Sequence, residues 1–325
     1  MRAWVAVGII VILAVAAIAA GAGGSNSTQA MDASLAALAT PQASSGPSAP
    51  PDPKIACTNV TASLPPTGAL PAAGKMPPGS FMRTIQQRGK LIAGVDQNTL
   101  LFGYLNPRNG QIEGFEIDLL RQIAKAIFGN PNAIEFKAVT TAQRLPYVES
   151  GKVDIVADAV TITCYRKTRV DFSTVYYNAS QRLLVPTSSH ARGLLDMGGK
   201  RVCATTGSTS LANIQAAASH PIPYGVPQRT DCLVALQEGK VAGISTDDAI
   251  LLGFKAQDPY TKIVGPLFSP QPYGMAINHS HPDFVRFVNA ELARMRADGT
   301  WAAIYRKWLG GVVGHVPAPP EARYQ

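Results

Sequence analysis

The sequence predicts an α/β fold built as two successive strand–helix units, preceded by an apolar N-terminal run and a proline-rich connector. Three observations carry this expectation. From about Phe81 onward, short β-branched runs alternate with segments of helical period. The alternation starts afresh after Val185-Pro186. The chain has 325 residues, the length of roughly two domains of about 150 residues. Alternation of this kind favours a mostly parallel sheet covered by helices.

Residues 1–23 come first. No charge stands between Arg2 and Asp32, and the run from Trp4 to Ala22 is unbroken apolar sequence. Such a run is about long enough to cross a bilayer as a helix. Arg2 on the short leading tip favours a cytoplasmic N-terminus, with everything after the run outside. It is expected to be a transmembrane anchor; a signal peptide cleaved near Ala20 and Ala22 is the alternative. Residues 24–80 are rich in Pro, Ser, Ala and Gly and are expected to form a semi-extended tether.

The first α/β unit opens with Lys90–Asp96, a short apolar strand ending on a polar turn. Gly114–Ile127 follows as a helix, with Ile117, Leu120, Ile123, Ala124 and Ile127 on one face. Glu116 and Asp118 sit in its first turn, where the helix dipole favours acids. Strands are expected at 134–139 and 153–157, with a helix at 144–150 between them. In the second unit, 201–204 is a strand, and Gly207-Ser-Thr-Ser210 opens a helix running to Ala218. A helix at 231–239, a strand at 241–245 and a long terminal helical stretch from Pro282 to about Leu309 complete it.

Composition narrows the function. The chain is 46% hydrophobic and 15% charged, with a formal net charge of +8. That excludes global disorder. The basic residues are scattered rather than clustered, so nucleic acid is not an expected partner. Cys57, Cys164, Cys203 and Cys232 make an even count, which in an exported chain suggests two disulfides of three possible connectivities. Cys203 with Cys232 and Cys57 with Cys164 is the favoured pairing. The first stays within one unit, and the second pins the end of the tether to the folded body; four free buried thiols are the alternative. There is no CxxC, Gly-x-Ser-x-Gly, His-Glu-x-x-His or P-loop. His279 and His281 lie on a turn without a matching ligand cluster. No metal, cofactor or catalytic residue is expected, and the chain is not read as an enzyme.

A set of segments then resembles one family. Gly114-Phe-Glu-Ile-Asp118 with its helix, Ala159-Val-Thr-Ile-Thr163, Arg166-Lys167, Asp171-Phe-Ser173 and Tyr176-Tyr177 come in order. Gly207-Ser-Thr-Ser210, Asp247, Asp298-Gly-Thr-Trp301 and Trp308-Leu-Gly310 continue it. Together they are similar to the family 3 extracellular solute-binding proteins, the amino-acid receptors of ABC importers, over residues 80–312. The resemblance implies a two-lobed, periplasmic-binding-protein-like α/β fold with two crossing hinge strands and a ligand cleft. The crossings are expected at Gln181–Pro186 and around Gln271–Ile277. Lobe 1 would be residues 81–185 and 274–312, lobe 2 residues 186–273, and residues 313–325 a C-terminal tail. Hinge closure around the ligand is the expected motion.

The chemistry of a free amino acid fits particular residues. Its α-carboxylate calls for a guanidinium and N–H donors: Arg166 matches the family's carboxylate-binding arginine, and Thr161 lies in the same loop. Ala159 offers a carbonyl to the ammonium. Ser208 and Thr209 sit where the resemblance places the second-lobe carboxylate contact, and Thr205 is placed to read the side chain; N-capping by Ser208 is the ordinary alternative. Asp247 matches the position whose carboxylate takes the α-ammonium, with Asp248 adjacent. Arg144, in Arg-Leu-Pro, resembles an element of the glutamate/aspartate-binding subgroup and would meet a side-chain carboxylate. Asp96 and Phe102 are expected at the cleft mouth. The expected function is capture of an acidic amino acid, or of its amide, and delivery to an ABC importer by a monomer outside the cytoplasm. A sensor signalling through a membrane protein is the alternative.

Overall fold

The computed structural model describes residues 52, 53 and 55–325. The apolar run at 4–22 and the first half of the connector lie outside the described residues. Among the described residues, no helix is long and apolar enough to cross a membrane.

Residues 55–80 carry no helix and no multi-residue strand, yet they lie against the body. Ser63 Oγ donates to the Phe172 carbonyl at 2.6 Å, and Asn289 Nδ2 donates to Ser63 Oγ and to the Leu64 carbonyl. Lys167 holds the Ala62 carbonyl and Arg286 the Pro65 carbonyl. The C-terminal tail joins the same place, where the Gln325 N–H donates to Ser63 O at 3.0 Å.

The first sheet has the order β5-β1-β6-β13-β7: Ile134–Ala138, Leu91–Val95, Ile155–Val156, Ala276–Ile277 and Asp171–Phe172. Strands β5, β1 and β6 run parallel, while β13 is antiparallel to both its neighbours. The short strands β2 (Asn98–Thr99), β3 (Gly103–Asn106) and β4 (Gln111–Glu113) form a separate antiparallel sheet. Helix α1 (Phe81–Arg88), capped by Ser80, was not anticipated by the sequence pattern. Helix α2 (Phe115–Phe128) covers the first sheet with the expected face, since Ile117, Leu120, Ile123, Ala124 and Ile127 are all fully buried. Its start requires glycine. Gly114 has φ +144°, and a Cβ there would lie 2.1 Å from the Phe102 carbonyl oxygen. Helix α3 is Arg144–Glu149.

The second sheet has the order β10-β9-β11-β8-β12: Ile222–Val226, Arg201–Thr205, Gly243–Asp247, Tyr177–Pro186 and Thr261–Tyr273. Strands β10, β9 and β11 are parallel, and β8 and β12 complete the sheet antiparallel. Helices α4 (Thr209–Gln215), α5 (Arg229–Gln237) and α6 (Asp248–Gln257) connect its strands. The terminal helical stretch is broken. Helix α7 (Pro282–Ala297) stops at Asp298, Gly299 takes φ +81°, and α8 (Thr300–Tyr305) follows.

These two sheets are the two lobes. The chain passes from β7 to β8 and returns from β12 to β13. The passages are tied together, with the Tyr176 N–H donating to Tyr273 O at 3.0 Å and Tyr177 opposite Tyr273 in the ladder. Gln181–Pro186, expected as the first crossing, lies inside β8, paired with both β11 and β12. Both favoured disulfides are present, Cys57–Cys164 and Cys203–Cys232. The second joins β9 to α5, and the first fastens residue 57 beside the Thr161–Arg166 loop.

Candidate functional site

Parallel strands present their carboxyl ends on one edge of a sheet, and in open α/β sheets ligands bind there. In this chain those ends carry the polar residues. β1 runs into Asp96, β6 into Asp158-Ala159, β9 ends on Thr205 and β11 on Asp247. A narrow cavity of about 10 Å³ lies between the two edges. Thr141, Arg144, Ala159 and Thr161 line it from the first lobe, and Thr205, Ser208, Thr209, Arg229 and Asp247 from the second. That volume is room for about one water, so a ligand enters this site only when the lobes part. A larger cavity of about 650 Å³ opens in the second lobe beside Leu194, Leu195, Ala217 and Pro266. Its only charged residues, Arg192 and Asp196, are paired with each other, so it offers little to a zwitterion.

Asp247 is 4% exposed. Its Oδ2 accepts from Tyr273 Oη at 2.5 Å, and Ser210 Oγ stands 3.4 Å from Oδ1. Burial pushes its pKa up to about 6, against the pull of the Tyr273 hydrogen bond. The adjacent Asp248 is turned away: its Oδ1 accepts from the Ser180 N–H at 3.1 Å and the Ala249 N–H at 2.9 Å.

Arg144 is buried, and its guanidinium is held by carbonyls. Nε donates to Thr141 O at 2.9 Å, and Nη1 donates to Asp158 O and Ala159 O. Among the described residues its Nη2 finds no acceptor. Burial draws its pKa down to about 10. Ala159 takes φ +47°, a conformation uncommon for a residue with a side chain. That turn aims its carbonyl at Arg144 while its N–H donates to Glu116 Oε1 at 2.7 Å. Glu116, from the Gly-Phe-Glu segment, is also bound by Tyr176, and burial lifts its pKa to about 7.

Arg229 was missed by sequence reasoning. It begins α5 in the second lobe and reaches into the first, where Nη1 lies 2.5 Å from a carboxylate oxygen of both Asp96 and Asp158. Burial opposes its charge, but Asp158 and Asp96 outweigh burial and hold the guanidinium pKa well above its usual value. One signal was in the sequence: a cation in the first turn of a helix opposes the helix dipole and calls for a partner.

Thr161 and Thr209 come from opposite lobes, and both hydroxyls donate to Gln271 Oε1, at 2.6 and 2.8 Å. Gln271, on β12, was also missed. Ser208 Oγ accepts from the Leu211 N–H at 3.0 Å, so this hydroxyl caps α4 at the cavity wall. Arg166 is buried but does not line the cavity. Its Nη1 donates to Thr161 O at 3.1 Å, Nη2 to Gly207 O at 3.2 Å, and Nε to Asp52 at 2.9 Å. Asp96 stands behind Arg229 rather than on the cavity wall. Phe102 is not at the cavity either: it is 1% exposed and packs edge-on against Phe115 and Tyr177 in the core of the first lobe. An apolar ring gains more there than at a polar cleft.

Comparison with known proteins agrees with this architecture. Residues 91–311 match the model of the bacterial extracellular solute-binding proteins, family 3. The chain is 36% identical over 243 residues to an ABC transporter glutamine-binding protein of Bacillus subtilis, covering 74% of this chain and 89% of that one. It is 28% identical to an L-glutamate/L-aspartate-binding protein of Pseudomonas aeruginosa, covering 74% and 82%. Among solved structures, an ancestral arginine-binding protein bound to glutamine matches with TM-score 0.64 at 34% identity, covering 69% of this chain and 99% of that one. A solute receptor for L-cysteine of Neisseria gonorrhoeae matches with TM-score 0.69 at 27% identity, covering 72% and 95%. The chain belongs to the family 3 extracellular solute-binding proteins, which bind their solutes rather than transform them.

Proposed function

We propose that this protein binds a free amino acid with an amide or acidic side chain between its lobes and delivers it to an ABC importer. The carrying observation is the cavity itself. It is walled by both lobes and opposes a buried carboxylate, Asp247, to a buried guanidinium, Arg144. A zwitterion taken out of water needs both charges matched. In this reading Asp247 takes the α-ammonium and Thr161, on the cavity wall, the α-carboxylate; Arg166, which lies behind Thr161 outside the cavity, reaches that carboxylate once its Asp52 contact is released, with Ser208 and Thr209 closing from the second lobe. Thr205, Arg144 and Arg229 meet the side chain.

The side-chain end supports an amide. Arg144 Nη2 is a donor without an acceptor among the described residues. Thr141 Oγ1 and Asp158 Oδ2 are buried without a partner there, and Asp158 Oδ2 is 4.0 Å from Arg144 Nε. A carboxamide supplies one acceptor and two donors, which suits such a set, and the Bacillus relative is named for glutamine. The second reading, glutamate or aspartate, is supported by the unspent Arg144 donor and by the name of the Pseudomonas relative. The working unit is a monomer whose lobes are residues 81–176 with 274–312 and residues 177–273, the boundary expected at 185 moving back because β8 belongs to the second sheet. The apolar run at 4–22 would hold it to the outer face of the membrane.

Calorimetric titration of the oxidised protein with a panel of amino acids tests the reading. Saturable binding of glutamine, asparagine, glutamate or aspartate, and loss of that binding in Asp247→Asn, is the expected result. A preference for arginine or an apolar amino acid would overturn it.

A further inference from the structure

Asp52 comes from the connector, outside both lobes, yet its carboxylate sits on the buried guanidinium of Arg166. The Oδ2–Nε distance is 2.9 Å, with the arginine side chain 3% and the aspartate side chain 31% exposed. We propose that Asp52 is an intramolecular occupant of the α-carboxylate subsite, which an incoming amino acid must displace. The inference rests on reading Arg166 as the α-carboxylate anchor.

Three features of the structure support it. The first is chemical identity: a carboxylate on a guanidinium is the contact that the ligand itself would make. The second is confinement. Cys57 stands five positions after Asp52, and its disulfide partner Cys164 stands two before Arg166. Five residues reach at most about 17 Å, so the bridge keeps Asp52 close to Arg166. Short tethers of this kind give effective concentrations on the order of millimolar. The third is charge balance. The other two donor groups of Arg166 end on the neutral carbonyls of Thr161 and Gly207. Asp52 is therefore the carboxylate that compensates this buried cation. Because it is partly exposed, its hold is weak enough to yield to a ligand that also engages Asp247.

A competitor of this strength weakens the observed affinity for an amino acid by about three- to tenfold. The test is calorimetric titration of the full chain with its best-binding amino acid, in wild type, Asp52→Ala, and the double variant Cys57→Ala with Cys164→Ala. Both variants are expected to bind about three- to tenfold more tightly. Combining them should add nothing, because each removes the same competitor. The α-amide of the same amino acid lacks the carboxylate and should gain nothing from Asp52→Ala. Asp52 lies outside the lobes, so its loss does not threaten their folding. Unchanged affinity in Asp52→Ala would overturn the proposal, and weaker binding would show that Asp52 steadies Arg166 for the ligand instead. Arg166→Gln separates the two levels. If it still binds amino acids normally, the anchor reading fails; if it loses binding while Asp52→Ala gains nothing, only the present inference fails.

Discussion

Replacing Arg229 by methionine should weaken amino-acid binding by opening the cleft. The arginine belongs to the second lobe and its partners to the first. Its side chain is 7% exposed, that of Asp96 4% and that of Asp158 0%. Methionine fills similar space but leaves two carboxylates facing each other, with only Arg144 nearby to balance Asp158. Removing one partner of a buried ion pair costs about 3–5 kcal/mol. The protein can escape most of that cost by separating its lobes, which returns both carboxylates to water. The penalty therefore falls on the closed state rather than on folding. At about 1.4 kcal/mol per tenfold, ligand affinity should drop at least a hundredfold by this estimate. The denaturant midpoint should move little. Small-angle scattering should report a larger radius of gyration for the variant than for wild type, and calorimetry the loss of affinity. Arg229→Lys, which keeps the charge but not the fork, should fall between the two. A methionine variant that binds within about threefold of wild type, at unchanged radius, would refute the reasoning.

Three further outcomes follow from the fold. Burial holds the Glu116 pKa at about 7 in the folded chain, against 4.5 for an ordinary glutamate side chain. The folded state therefore keeps a proton that the unfolded state releases, and stability falls as pH rises from about 4.5 to about 7, by on the order of 3 kcal/mol. Glu116→Gln should flatten that slope in denaturant titrations at pH 5 and pH 8; an unchanged slope would count against this origin. Gly114→Ala places a Cβ 2.1 Å from the Phe102 carbonyl and should destabilise by more than about 4 kcal/mol, seen as loss of a cooperative thermal transition; a normal melt would contradict the tight approach. Opening the Cys203–Cys232 bridge, whose ends are 29 residues apart, should lower unfolding free energy by about 3–4 kcal/mol, measured in urea on the paired alanine variant.

Local pattern revealed the parts of this structure that local physics controls. The helix after Gly114 shows its buried face as a 3.6-residue period, and Asp247 stands out as the acid ending an apolar strand. The cysteine pairing followed from keeping one bridge within a unit. Strand β12 was hidden because Pro266, Pro270 and Pro272 interrupt it. Proline is tolerated at a sheet edge, and β12 is the edge strand of its sheet. Gln271 was hidden with it. Arg229 was hidden for another reason: its partners lie 133 and 71 residues away, beyond any spacing rule. Phe102 was misplaced at the cleft because an aromatic after a strand fits core and cleft equally well until its neighbours are known.

The central claim is that one free amino acid is gripped by both of its charges, with Asp247 on the ammonium and Arg166 on the carboxylate. It is tested most directly by calorimetry of the wild-type protein against three forms of its best ligand: the free amino acid, its α-amide and its N-acetyl derivative. The account predicts tight binding of the free amino acid and a loss of at least about a hundredfold for each derivative, since the N-acetyl form leaves Asp247 without its cation and the α-amide cannot make the carboxylate–guanidinium contact. Comparable binding of either derivative would contradict it.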